Sequence, residues 1–296
     1  MPSGRNGPAV APAAAVFVEL DRSAEHIRTR HPGGEMAWRA WGQGPALLLL
    51  HGGHGSWTHW IRNIEAFGRS YRVIVPDMPG FGESDALPEP TGPGLATALA
   101  DGLRVVAPGE RIAVAGFSFG GVIGGLLAGR PDSPVDTLVL VGAVGLKARR
   151  NALDLVKWRG LPPAERAEAH RTNLRVLMLW NAERIDALAR ELQDHNASRA
   201  RVDPRPIARS ELLTDALNRT DAMLAGIWGE HDSIAAPYLD ERRALIRGWR
   251  PGAPFAIIPD AGHWVQYEAP EAFNTTLQRV LDEVRLVGYE RTKRRA

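Results

Sequence analysis

Gly116-Phe117-Ser118-Phe119-Gly120 is the stretch whose reading decides the fold. It fits G-x-S-x-G, in which a serine sits on a strained turn between a strand and a helix. The flanking glycines leave room for that turn, because side chains there would meet neighbouring backbone. The surroundings agree. Arg111-Ile112-Ala113-Val114-Ala115 is an apolar run that reads as a buried strand entering Gly116. The run from Gly121 to Ala128 holds only Gly, Val, Ile, Leu and Ala, and reads as a helix packed closely on a sheet. Five residues alone are a weak signal, and the strand before and helix after strengthen it.

A serine hydroxyl is a poor nucleophile near neutral pH and needs a base beside it, itself oriented by a third group. In proteins with this elbow the chain order is Ser, acid, His. Met223–Gly229 reads as a strand running into Glu230-His231-Asp232. Pro254–Pro259 reads as another, running into Asp260-Ala261-Gly262-His263. Asp232 and His263 therefore follow the carboxyl ends of strands, the edge at which parallel sheets build sites. Ser118 is assigned as nucleophile, His263 as general base and then acid, and Asp232 as the group that orients the imidazole. Glu230 and Asp260 remain rivals of Asp232. Upstream, Ala46–Leu50 reads as a strand entering His51-Gly52-Gly53-His54-Gly55. Acyl transfer needs donors aimed at the developing oxyanion, and the amides of Gly53 and Phe119 are placed to supply them. Arg72–Pro76 is the next strand, before Asp77-Met-Pro-Gly-Phe-Gly-Glu-Ser84.

With HGG, DMPGFGESD, GFSFGG, WGEHD and DAGHWVQYEAPEAFN in that order, the chain resembles the α/β-hydrolase family over about residues 36–285. HGGHGSW and GHWVQYEAPEAFN look similar to the meta-cleavage-product hydrolases, which break C–C bonds in vinylogous diketo acids, and to small esterases. Two positions differ from the C–C hydrolases. Phe117 stands where they usually carry Asn, and His51–Trp57 stands where they usually have HGGGPGA. The substrate-binding cap arginine that the resemblance implies has three candidates, Arg190, Arg199 and Arg201. Epoxide hydrolases and haloalkane dehalogenases carry an Asp nucleophile, and position 118 is Ser.

The rest of the chain fits a mostly parallel, doubly wound α/β sheet. Val16–Leu20 and Met36–Trp41 read as opening strands. Helices are expected near Trp57–Phe67, Gly94–Val106 and Phe119–Ala128, and a strand at Val135–Val141. Strand signals then stop between about Leu146 and Asp221. Ala164–Trp180 and Ala182–Ala200 have helical spacing instead. This segment, residues 146–221, is expected as a helical lid after the sixth strand, between core segments 15–145 and 222–288. Over residues 147–221 there are 15 Lys plus Arg against 11 Asp plus Glu, a net of +4. Trp264, Phe117 and His54 are expected to line the substrate pocket, and His51 to brace its loop.

Composition sets outer limits. The 296 residues, 44% hydrophobic and 24% charged, are ordinary for a globular chain with a sizeable core. The formal charge is +2 and no basic stripe carries aromatic partners, so no nucleic-acid partner is expected. There is no cysteine, which fits a reducing compartment. Pro8 and Pro12 interrupt the N-terminus, so residues 1–14 read as a disordered leader rather than a signal peptide. Residues 289–296 read as a solvated basic tail. No apolar run reaches the roughly 20 residues of a membrane-spanning helix, so no membrane partner and a cytoplasmic location are expected. There is no P-loop and no dinucleotide fingerprint. His51, His54, His59 and His231 do not share one face of one element, so no cofactor or metal is expected. The expected partner is a small carbonyl substrate, and homo-oligomerisation is left open. Two alternatives stand beside hydrolysis: a ligand-binding receptor with little turnover, and an acyltransferase.

Overall fold

The computed structural model describes residues 13–293. Residues 1–12 and 294–296, which hold most of the expected leader and the end of the expected tail, lie outside the described residues. Eight strands form one sheet: β1 (Glu25–His31), β2 (Gly34–Trp41), β3 (Ala46–Leu50), β4 (Arg72–Pro76), β5 (Ile112–Phe117), β6 (Val135–Val141), β7 (Met223–Gly229) and β8 (Phe255–Ile258). Their spatial order is β1-β2-β4-β3-β5-β6-β7-β8. The β1–β2 hairpin is antiparallel and β2 pairs antiparallel with β4, while β3 to β8 run parallel. The chain moves outward from β3 to β4 and then returns to β5 on the other side. The loops after β3 and β5 therefore leave the sheet side by side, which is where doubly wound sheets open a crevice.

Each central strand is apolar on both faces, as a sheet covered on two sides requires. Period-two alternation divides the side chains between two cores. Leu48, Leu50, Ile74, Val114, Leu138 and Leu140 join one, which the helices Gly92–Val106 and Phe119–Ala128 cover. Leu47, Leu49, Val73, Val75, Ala115, Phe117, Val139 and Val141 join the other, with Trp57, Trp60, Phe67 and Phe273.

Several local readings are corrected. Val16–Leu20 is part of a helix, Ala13–Arg22, not a strand. A short apolar run does not distinguish the two. Here Phe17 stacks on Trp57 at 5.3 Å while Val16 and Val18 face solvent. The true first strand, β1, carries six polar residues in seven and gives no apolar signal in the sequence. The helix expected at Trp57–Phe67 is a 3₁₀ turn, Trp57–Trp60, followed by a short helix, Ile64–Gly68. The helix expected over Ala182–Ala200 begins only at Ala187, where Asp186 accepts the Ala189 amide as its N-cap at 2.8 Å. The segment Ala164–Trp180 divides into a helix, Pro163–Asn173, and a π-turn, Leu174–Met178. No strand interrupts the chain between β6 and β7, as expected. Among the described residues no helix is long and apolar enough to cross a membrane.

Two glycines of opposite character give a direct test. A Cβ at Gly120 would fall inside contact distance of the Leu50 carbonyl oxygen, whereas one at Gly248, in the helix Leu239–Trp249, meets nothing within 4 Å. Gly248→Ala should stabilise the protein by about 0.5–1 kcal/mol through helix propensity. Gly120→Ala should cost more than about 2 kcal/mol, since backbone must move. Urea unfolding of both variants checks the sign of each.

Candidate active site

Ser118 stands between β5 and the helix Phe119–Ala128, at φ 51° and ψ −111°. A side chain there is strained by about 1–3 kcal/mol. The surroundings impose it. The Ser118 amide donates to the Val141 carbonyl at 2.8 Å, fixing the strand end. The next helix comes so close that a Cβ at Gly116 would lie 2.5 Å from the Gly120 carbonyl oxygen. The turn thus presents the half-buried Ser118 hydroxyl at the carboxyl edge of the sheet.

His263 and Asp232 come to it from the loops after β8 and β7. Ser118 Oγ lies 3.0 Å from His263 Nε2, and His263 Nδ1 lies 2.8 Å from Asp232 Oδ2. Asp232 is fully buried, and its other oxygen accepts the amides of Ile234 at 2.9 Å and Ala235 at 3.1 Å. A buried carboxylate so satisfied is held in one orientation. The two loops are also tied together, because the His231 amide donates to the Ala261 carbonyl at 2.9 Å. Glu230 and Asp260, the rivals of Asp232, are exposed and hydrogen-bond each other through the Asp260 amide. Neither hydrogen-bonds His263.

Gly53 and Phe119 are neighbours across the β3–β5 crevice: a Cβ at Gly53 would lie 3.8 Å from Phe119 Cβ. Phe119 opens its helix, so its amide is among those with no acceptor within the helix. The Gly52-Gly53 turn is fixed by two histidines. His51 Nε2 accepts the Met78 amide at 3.0 Å, so its proton sits on Nδ1, which donates to the Gly52 carbonyl at 2.8 Å. His59 Nδ1 accepts the Gly52 amide at 3.1 Å. Burial lowers both histidines, His51 to about 4 and His59 well below the usual range. Both are neutral, as these hydrogen bonds require. His51 therefore braces the loop, as read from the sequence, and His59 is a brace the sequence did not reveal. Asp77 completes the frame. It accepts the amides of Trp57 at 2.8 Å and Glu83 at 3.0 Å and faces the buried Arg39 at 3.4 Å.

A cavity of about 310 Å³ opens on Ser118 and His263. Phe117 and His54 line it, together with Gly53 and Phe119. Leu153, Leu177, Met178 and Pro204, from the segment between β6 and β7, supply much of its apolar wall. Trp264 does not line it. It is 1% exposed, stacked on Tyr267 at 4.1 Å, and its Nε1 donates to the His59 carbonyl. Its place is beneath the site, where it supports His59. The three cap arginines also lie elsewhere. Arg190 reaches the Asp186 carbonyl, Arg199 pairs with His195, and Arg201 bonds the carbonyls of Gly82 and Ser84. The arginines at the cavity are Arg150, Arg205 and Arg209. They occupy irregular chain or a short helix, where spacing gives no signal. Glu268 was also missed. Its carboxylate accepts the amides of Gly262 at 2.7 Å, Trp180 at 3.0 Å and Asn181 at 2.6 Å, fastening the histidine loop to the helical segment. His231 stacks on Trp180 at 4.1 Å, away from His51 and His59.

A profile of the alpha/beta hydrolase fold matches residues 45–270. The chain belongs to this family. A 2-hydroxy-6-oxo-6-phenylhexa-2,4-dienoate hydrolase of Burkholderia cepacia is 28% identical over 253 residues, covering 79% of this chain and 86% of the relative. Among solved structures, a bacterial membrane phospholipase A superposes with a TM-score of 0.75 at 24% identity, over 92% of this chain and 91% of the other. A putative aryl esterase from Burkholderia cenocepacia superposes with a TM-score of 0.73 at 22% identity, over 88% and 99%. These likenesses agree in fold, and the order of elements seen here, with helices inserted after β6, carries every motif quoted above.

The buried histidines make stability depend on pH. A folded pKa near 4 at His51 means that the unfolded chain binds more protons as pH falls below about 6.5. Stability is therefore present above that pH and is lost as pH falls toward 4. The depression corresponds to about 3 kcal/mol from His51, and His59 adds in the same direction. Urea unfolding at pH 7 and pH 4.5 should show the loss, and His51→Gln should lose less between the two pH values. An equal loss in the variant contradicts the assignment.

Proposed function

We propose that this chain is a serine hydrolase acting on a small carbonyl compound, with an ester or lactone as the first candidate. The observation that carries the reading is the hydrogen-bonded chain Ser118–His263–Asp232, at 3.0 and 2.8 Å, on the floor of a largely apolar cavity. Ser118 Oγ attacks the carbonyl carbon as neutral His263 takes its proton through Nε2. Asp232 stabilises the imidazolium so formed and keeps the ring in the tautomer that leaves Nε2 free to accept. The amides of Phe119 and Gly53 donate to the oxyanion. His263 returns the proton to the leaving group, and the acyl-enzyme is hydrolysed by the same steps with water as nucleophile. Residues 146–221 act as the cap over this cavity, and 15–145 with 222–288 as the catalytic core. Support for the cap comes from Leu153, Leu177, Met178 and Pro204, which wall the cavity.

A second reading uses the same serine and base to cleave a C–C bond beside a ketone. The likeness to the Burkholderia cepacia hydrolase favours it. Phe117, which fills the cavity wall before the nucleophile, weighs toward the ester.

Turnover of p-nitrophenyl butyrate beside a vinylogous diketo acid separates the two. Ser118→Ala and Asp232→Asn should each lower kcat on the preferred substrate by about 10³-fold or more, with near-native circular dichroism. Undiminished turnover in Ser118→Ala overturns the reading.

A further inference from the structure

Among the described residues other than glycine, three have positive φ: His54 at 54°, Ser118 at 51° and Asp260 at 52°. Ser118 is the nucleophile position, and Asp260 lies in the loop that carries His263. His54 is the third, and it lines the cavity at Ser118. Positive φ strains a residue that bears a side chain. Such strain persists only where the surroundings impose it, and it gathers at functional sites. Glycine at this position would be free of it.

The other histidines of this region have structural work that explains them. His51 and His59 are buried, and each accepts a backbone amide, from Met78 and Gly52 respectively. His54 makes no hydrogen bond, ion pair or ring contact among the described residues. Its accessible surface opens on the cavity. The acid that acts on it, Asp203, is engaged by Arg205 at 2.8 Å. Loss of surrounding water lowers the His54 pKa first; Asp203 acts the other way, and Arg205 and Arg159 add to the lowering. The ring is therefore neutral near pH 7, with one nitrogen carrying a proton and the other free to accept. The protein uses neither.

Chain position says what the ring can reach. His54 follows Gly53, with the two Cα atoms about 3.8 Å apart across the peptide bond. A carbonyl oxygen held by the Gly53 amide thus brings substrate atoms a few bonds away to the imidazole. The wall from the helical segment comes down over this turn, since a Cβ at Gly53 would lie 2.8 Å from Pro204 Cγ.

We propose that His54 is a specificity residue, whose imidazole hydrogen-bonds a hydroxyl or amide carried by the substrate a few bonds from the carbonyl at Ser118. Either group both donates and accepts, as neutral imidazole does. This role rests on the serine-hydrolase reading and selects within it: substrates are hydroxy- or amido-substituted carbonyl compounds rather than plain alkyl esters.

Three p-nitrophenyl esters test it: the butyrate, the 3-hydroxybutyrate and the glutaramate, which ends in an amide. The native protein should favour a polar ester over the butyrate in kcat/KM, and the one it favours tells hydroxyl from amide. In His54→Leu that advantage should fall about fivefold or more, mainly through KM, as for one hydrogen bond made away from the reacting atoms. His54→Gln, which keeps a donor and an acceptor, should restore part of it. His54→Gly should lose the advantage too, with a urea midpoint equal to or above that of the native protein, because strain is relieved and no bond is broken. Equal ratios in native and Leu proteins, or a native preference for the butyrate over both polar esters, overturn the assignment. So does a lowered urea midpoint in His54→Gly, which marks a structural brace. If no ester is hydrolysed through Ser118, the hydrolase reading fails instead. The His54 imidazole resonances, assigned with His54→Gly, are then followed in the native protein on adding methyl 3-hydroxybutyrate, methyl glutaramate and methyl butyrate. A shift confined to a polar ester supports the contact, and no shift, or equal shifts with all three, removes it.

Discussion

The helix Phe119–Ala128 approaches the sheet so closely that glycine is required on both partners, and the rest of the site follows from that approach. A Cβ at Gly116 would meet the Gly120 carbonyl at 2.5 Å, and one at Gly120 would meet the carbonyls of Leu50 and His51. With helix and strand pressed together, the single residue joining them has little freedom, and Ser118 is held at positive φ. Its hydroxyl then points off the sheet edge rather than into either core. The strain at Ser118 is offset by the apolar burial of Val122, Ile123, Leu126 and Leu127 on the same helix.

Geometry around the serine is kept by groups that do not face the cavity. His51 and His59 fasten the Gly52-Gly53 turn from two sides. Asp77 ties the loop after β4 to the 3₁₀ turn at Trp57, and Arg39 compensates its charge. Glu268 joins the His263 loop to the segment that walls the cavity. These contacts pair buried polar groups, so losing one leaves its partner unsatisfied in a dry site. These bonds brace the site below Ser118, and the cavity walls come from residues 144–155, 177–178 and 204–209.

What the sequence disclosed follows from how local each feature is. The elbow, the strands around it and the Ser118, Asp232 and His263 positions were legible, because a motif and its neighbouring period encode them. The hydrogen bonds that join those three residues span up to 145 positions and still could be anticipated, since the sheet brings strand ends together. Trp264 was misplaced because adjacency to His263 in sequence says nothing of direction, and the residue turns under the site to stack on Tyr267. The three candidate cap arginines lie off the cavity for a related reason. Arg190 and Arg199 sit on the helix Ala187–Arg199, which turns Ala189 and Leu192 inward, while the cavity is met by the irregular chain on either side. Helix Ala13–Arg22 was read as a strand because its short apolar run has no period long enough to decide. Glu268 and His59 were invisible, since their partners are backbone amides, which no residue type marks.

The central claim is that Ser118 is activated by its surroundings and not merely lodged in a tight turn. Intact-mass analysis after treatment with a small fluorophosphonate, with peptide mapping and Ser118→Ala as control, measures this directly. One adduct, mapped to Ser118 and absent from the variant, is the result the account predicts. A folded protein that takes no adduct, or takes it on another residue, contradicts it.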